Sequence, residues 1–384
     1  MENTNNITST KRTILPILFG FFVMGFVDVV GIATNYVKKD FALSDSLANL
    51  LPMMVFLWFA LFSIPTGICM GRHGRKNVVV VSILITAIAM LIPMFFYDFV
   101  MILIAFALLG IGNTILQVSL NPMVAQTVVQ SKVTSVLTLG QFIKAISSFL
   151  GPIIAGIAAS WFGDWKLIFI AYSIISIISI IWLLLAVKGS KQGMGEEASF
   201  VSTLKLMKNK KIFMLFLGIL CLVGIDVGLN TTIPKLLMER LELPLQEAGL
   251  GTSLYFAART IGTFVGAILL AKIASRSFFK ISMVLAIISF TGLMLFNGMW
   301  LMCSMIVLVG LSLSNIFSII FSLALEYKPS QSNEISALMI MGVSGGALIP
   351  PLMGVLNDSF GLMASLLLLL VCMFYIGFVA LNSK

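Results

Sequence analysis

Two carboxylates sit where an apolar chain has least use for them. The stretch Gly25-Phe26-Val27-Asp28-Val29-Val30-Gly31-Ile32-Ala33-Thr34-Asn35 returns later in the chain as Gly224-Ile225-Asp226-Val227-Gly228-Leu229-Asn230. On a helix, residues three or four apart share a face, which groups Asp28, Gly31 and Asn35, and likewise Asp226 and Asn230. An ionisable group facing lipid costs roughly 2.5–3.5 kcal/mol even on lenient insertion scales, so each acid is expected to face a partner or a water-filled cavity. A carboxylate drawn out of water takes a proton more readily, which makes Asp28 and Asp226 candidates for proton coupling. The competing reading is a permanent ion pair in each half, Asp28 with Lys144 and Asp226 with Arg259.

Polar stripes run along other apolar segments. Asn113, Gln117 and Asn121 recur at i, i+4 and i+8; Gln141, Lys144 and Ser148 at i, i+3 and i+7; Ser314, Ser318 and Ser322 at i, i+4 and i+8. A sugar is a ring of hydroxyls that both donate and accept, and an amide offers both functions, so amide stripes suit a polyol. The candidate substrate contacts are Asn35, Asn113, Gln117, Asn121, Gln141, Lys144, Asn230 and Arg259. The plainer alternative is glue between helices, worth roughly 0.6–2 kcal/mol per bond. Lys144 either neutralises Asp28 or holds a substrate carboxylate, which would point to a sugar acid. Trp58, well inside its segment, offers a face on which a sugar ring can stack. Gly342-Val343-Ser344-Gly345-Gly346 fits a hydrolase pattern, but no strand is expected before it, so helix packing is the expectation.

Those residues must be carried by membrane-spanning elements. The 384-residue chain is 59% hydrophobic and 10% charged, with a mean hydropathy of +1.10, which excludes a soluble domain. Four scattered cysteines and a single histidine, His73, argue against a disulfide framework, a metal site or histidine-based catalysis, so no cofactor is expected and the chain is not read as an enzyme. Twelve helical spans are expected, near 13–37, 46–70, 78–97, 99–129, 133–161, 165–187, 212–237, 246–273, 280–298, 300–326, 334–357 and 361–381, because every backbone amide must be satisfied within lipid. With both termini placed in the cytoplasm, 17 of the 24 Lys and Arg fall on that side and five on the other, which sets the orientation. The formal charge of +9 therefore reflects loop placement in a cell membrane and does not call for nucleic acid.

The halves repeat. Val27-Asp28-Val29 parallels Ile225-Asp226-Val227, Gly110-Ile111 parallels Gly310-Leu311, and Phe162-Gly163 parallels Phe360-Gly361, at an offset of 198–200 residues. The lysine-rich stretch 188–211 separates them, giving an all-α plan of two pseudo-symmetric six-helix bundles, 1–187 and 212–384, with a cytoplasmic linker between. Two parallel repeats around a midplane site are a known transporter arrangement.

The loop Gly67-Ile68-Cys69-Met70-Gly71-Arg72-His73-Gly74-Arg75-Lys76 resembles the Gly-x-x-x-Asp-Arg-x-Gly-Arg-Lys loop of the major facilitator superfamily, with Gly71 in place of Asp. Arg72, Arg75 and Lys76 are accordingly expected to anchor a gating loop. Asn121-Pro122, Gly140-Gln141, Arg259-Thr260-Ile261-Gly262-Thr263, Ile316 to Ala324, and Gly345 to Gly354 are similar to the fucose–proton symporter family. Gln117 stands where that family often has Glu, and Lys144 where it often has Asn. The resemblance implies proton-driven sugar uptake by alternating access, by a monomer in the lipid bilayer.

The expectation is a symporter for a monosaccharide or sugar derivative. Its rivals are a sugar-acid symporter using Lys144, an exporter of drugs or amphiphiles, and a transport-dead sensor. Sodium in place of the proton stays open.

Overall fold

The computed structural model describes the backbone of residues 2–43, 47, 50–187, 200–243 and 245–383. Twelve helices are long and apolar enough to cross a membrane: Thr13–Asp40, Leu50–His73, Arg75–Phe95, Phe99–Thr127, Gln130–Phe162, Leu167–Ala186, Lys210–Leu241, Leu250–Leu269, Ser275–Leu295, Met299–Tyr327, Pro329–Asn357 and Leu362–Asn382. They are numbered here as the first to twelfth spans. The expected spans match them one for one, with boundaries moved by a few residues. No strand occurs among the described residues. Residues 188–199 of the expected linker lie outside the described residues; a short helix, Phe200–Lys205, follows.

The span starts follow local chemistry. Asp98 caps the fourth span, its carboxylate accepting from the backbone N–H groups of Val100 and Met101 at 3.1 Å each. Asn209 does the same for the seventh, accepting from Lys211 at 3.0 Å and Ile212 at 3.2 Å. Gly74 separates the second and third spans with φ +80°, a left-handed conformation that glycine adopts without a Cβ penalty.

Two compact units form. The first holds the described residues within Met1–Val133, Gly140–Leu206 and Lys328–Met341; the second holds those within Thr134–Leu139, Met207–Tyr327 and Gly342–Lys384. The N-terminal part of the eleventh span thus packs with the first unit although it belongs to the second half of the sequence. In the first unit, aromatic packing joins the first and sixth spans: Phe26 stacks on Tyr172 with ring centroids 3.9 Å apart, and Phe19 meets Trp182 at 5.5 Å.

Candidate functional site

The first span is not one continuous α-helix. It tightens to a 3-10 turn over Gly25–Asp28 before resuming at Val29–Asp40. Gly25 lies against the fifth span so closely that a Cβ there would stand 2.6 Å from the Lys144 carbonyl and 2.7 Å from Ser147. Only glycine permits that approach. The turn ends on Asp28, which is exposed, and its carboxylate accepts a hydrogen bond from the Ser148 hydroxyl of the fifth span. The side chain of Asn35 lies outside the described residues.

The amide stripe of the fourth span is a bonded ladder. Asn113 Nδ2 donates to the Met24 carbonyl at 2.7 Å, just before the 3-10 turn. Gln117 Nε2 donates to Asn113 Oδ1 at 2.6 Å, and Asn121 Nδ2 to the Gln117 carbonyl at 2.8 Å. All three side chains are buried, with 2%, 6% and 1% exposure. Asn113 therefore braces the break in the first span, the glue reading of that residue. Asn121 Oδ1 and Trp58 Nε1 are buried with no hydrogen-bond partner among the described residues. Gln141 and Lys144 are half-buried on the fifth span.

In the second unit the other acid has different company. Asp226 Oδ2 pairs with Arg259 Nη1 at 2.5 Å, and Asp226 Oδ1 accepts from the Tyr255 hydroxyl at 2.6 Å. Neither this ion pair nor that of Lys166 with Asp164 includes Lys144. Asn230, one turn beyond Asp226, is exposed and its carbonyl accepts from Thr252 at 3.2 Å. Sequence reasoning passed over Tyr255, whose signal is its place four residues before Arg259. It also passed over Asn315, buried at a break between Leu313 and Ile316, where its Nδ2 donates to the Gly262 carbonyl at 3.0 Å. Asn315 follows Gln117 at the repeat offset.

The serine stripe of the tenth span is packed inside the second unit. Ser314 donates to the Leu311 carbonyl at 2.7 Å, and Ser322 accepts from Thr134 at 2.7 Å. Ser314, Ser318 and Ser322 are all buried.

The basic loop residues separate into three roles. Arg75 is buried, donating through Nε to Asn333 Oδ1 at 2.7 Å, through Nη2 to Ser332 Oγ at 2.5 Å, and through Nη1 to the Pro122 carbonyl at 3.1 Å. Pro122 has no N–H, which leaves the Val118 carbonyl without its helical donor. Ser336 supplies that donor at 2.6 Å. The segment 328–341 is thus fastened within the first unit by neutral side chains on a guanidinium and a freed carbonyl. Lys76 donates to the Leu184 carbonyl at 3.0 Å, and Arg72 is exposed.

A sequence profile of the Major Facilitator Superfamily matches residues 17–349. A protein of Brucella abortus biovar 1 (strain 9-941) described as a glucose/galactose transporter is 24% identical over 387 aligned residues, covering 94% of this chain and 91% of that one. A probable nitrate transporter, NarT of Staphylococcus haemolyticus (strain JCSC1435), is 23% identical and covers 86% of this chain and 85% of its own. Among solved structures, the transporter FucP in the outward conformation superposes with a TM-score of 0.82 at 17% identity, over 97% of this chain and 99% of that one. This last likeness is one of fold.

Proposed function

The chain belongs to the Major Facilitator Superfamily, and from that premise we propose that it imports a monosaccharide or sugar derivative together with a proton, by alternating access across a cell membrane. The near full-length similarity to a protein described as a glucose/galactose transporter supports a sugar as cargo. The observation that carries the proton step is the setting of Asp28. Its partner is a hydroxyl, Ser148, so protonating Asp28 leaves no cation stranded. Protonating Asp226 would strand the Arg259 guanidinium, and an unpaired partly buried charge is costly.

In this reading Asp28 takes the proton when the carrier loads. Gln117, Asn121 and Gln141 bond to substrate hydroxyls, and Asn113 holds the 3-10 turn that presents Asp28. Arg75 and the segment 328–341 form the cytoplasmic fastening that must release, both termini lying in the cytoplasm as the Lys and Arg bias indicates. The test is uptake into proteoliposomes under an inward proton gradient, with a panel of neutral sugars. Gradient-driven accumulation of at least one is expected; accumulation of none would end the uptake reading.

A second reading has its own observation. Lys144 belongs to neither the Asp226–Arg259 nor the Lys166–Asp164 ion pair and lies one turn before the Ser148 that holds Asp28. A cation so placed suits a sugar acid or a small anion, and a relative described as a nitrate transporter fits that chemistry. Glucuronate and nitrate in the same uptake panel separate the two readings.

A further inference from the structure

We infer that Tyr255 is a positioning residue: acting through Asp226, it aims the Arg259 guanidinium at substrate oxygen. The inference rests on the sugar-transport reading above and reassigns Asp226 from proton carrier to brace.

The geometry is specific. Tyr255 and Arg259 stand one helical turn apart on the eighth span and meet the same carboxylate on the seventh, each on its own oxygen, at 2.6 Å and 2.5 Å. A carboxylate with one donor per oxygen cannot swing, so the guanidinium bonded to it is held in orientation. Tyr255 is wholly buried, whereas the Arg259 side chain keeps 22% exposure. Of the three side chains Arg259 keeps the most exposure, Asp226 keeping 13%. Its guanidinium carries five N–H donors, and the Asp226 contact occupies only part of that fork.

The repeat supplies an internal control. A Cβ on Gly110 would meet the Val55 carbonyl at 2.5 Å, and one on Gly310 would meet the Tyr255 carbonyl at 2.7 Å. The two helix crossings are thus in the same register, so Val55 stands where the second half has Tyr255, and Phe59 where it has Arg259. Both are buried apolar residues. This crossing packs without a polar triad in the first half, and a pair of charges drawn out of water adds little to stability for its own sake. The triad is there for something other than packing.

The experiment is uptake of radiolabelled galactose by Tyr255→Phe, Arg259→Lys and the double variant in proteoliposomes, with the thermal midpoint of each purified protein. Phe keeps the ring in its buried slot, so Tyr255→Phe is expected to fold. Its KM should rise about tenfold with Vmax within about twofold, the loss of one charge-assisted hydrogen bond. In the Arg259→Lys background, the Tyr255 substitution should add nothing further, because it acts through Arg259. An unchanged KM in folded Tyr255→Phe, or effects that multiply in the double variant, overturns the inference. Wild-type protein that carries galactose while Tyr255→Phe behaves identically overturns this inference alone; wild-type protein that carries no sugar overturns the underlying reading and this one with it.

Discussion

Asp28 and Asp226 occupy the same place in two copies of one sequence pattern, yet their neighbours differ in kind. In the first unit the acid ends a 3-10 turn, is exposed, and accepts from a hydroxyl of the fifth span. In the second unit the acid lies in continuous helix and is held by a guanidinium and a phenol from the eighth span. The repeat gives both halves a carboxylate at the same place in the pattern, and the surrounding side chains differ between the two. A neutral partner permits a change of charge; a cationic partner opposes it. The C-terminal ends of each half's first span show the same divergence. Tyr97 donates to Asp40 at 2.5 Å and Trp165 donates to it at 3.1 Å, whereas two hundred residues on Arg240 donates to Asn297 at 3.0 Å. Both ties join the end of a half's first span to the loop between its third and fourth, with the charge reversed.

That contrast is open to attack by substitution. The largest effect is expected from Asp28→Asn, which should abolish gradient-driven accumulation of galactose while leaving counterflow exchange in proteoliposomes; retained accumulation would make the two acids equivalent. Asp226→Asn should instead act on stability. Leaving Arg259 unpaired is expected to cost roughly 2–3 kcal/mol, below the roughly 3–5 of fully buried pairs because its side chain keeps 22% exposure. Asp226→Asn combined with Arg259→Met should recover most of that in thermal unfolding. A smaller effect is expected at the fastening of segment 328–341. Ser336→Ala should cost about 1–2 kcal/mol by orphaning the Val118 carbonyl, and less when Pro122→Ala restores a helical donor. The smallest concerns the tie between Tyr97 and Asp40. Burial, and after it the Asp40 hydrogen bond, push the Tyr97 phenol above its usual value of 10.0. A raised folded value means stability that is fully present below about pH 10 and lost as pH climbs further. Tyr97→Phe should therefore flatten the alkaline fall in thermal midpoint relative to wild type, and an unchanged fall would place the tie elsewhere.

Much of this was legible in the sequence. Apolar run length located the twelve spans, because lipid allows backbone few options. The repeat offset exposed both acids, and the basic loop pointed to Arg75. Hydrogen-bond partners were less accessible, since they depend on which helices touch and at what height. An acid and a base in each half invited the pairing of Asp28 with Lys144, but the fifth span presents Ser148 to Asp28, one turn along the same face. The proline at 122 announces a freed carbonyl at Val118, yet nothing local says that Ser336, more than two hundred residues away, will fill it. A stripe at i, i+4 describes substrate amides and a ladder bonded to itself equally well, and the bonds of Asn113 to the Met24 carbonyl and of Gln117 to Asn113 could not be read from it. Tyr255 hid among buried aromatics, which usually mean core.

The central claim is that the proton rides on Asp28 and not on Asp226. The most direct measurement is external pH in a lightly buffered suspension of de-energised cells expressing the protein, recorded as galactose is added. Wild type and Asp226→Asn should alkalinise the medium as sugar and proton enter together, the latter in proportion to its folded amount, while Asp28→Asn should not. Alkalinisation that survives in Asp28→Asn and vanishes in well-folded Asp226→Asn would contradict the account.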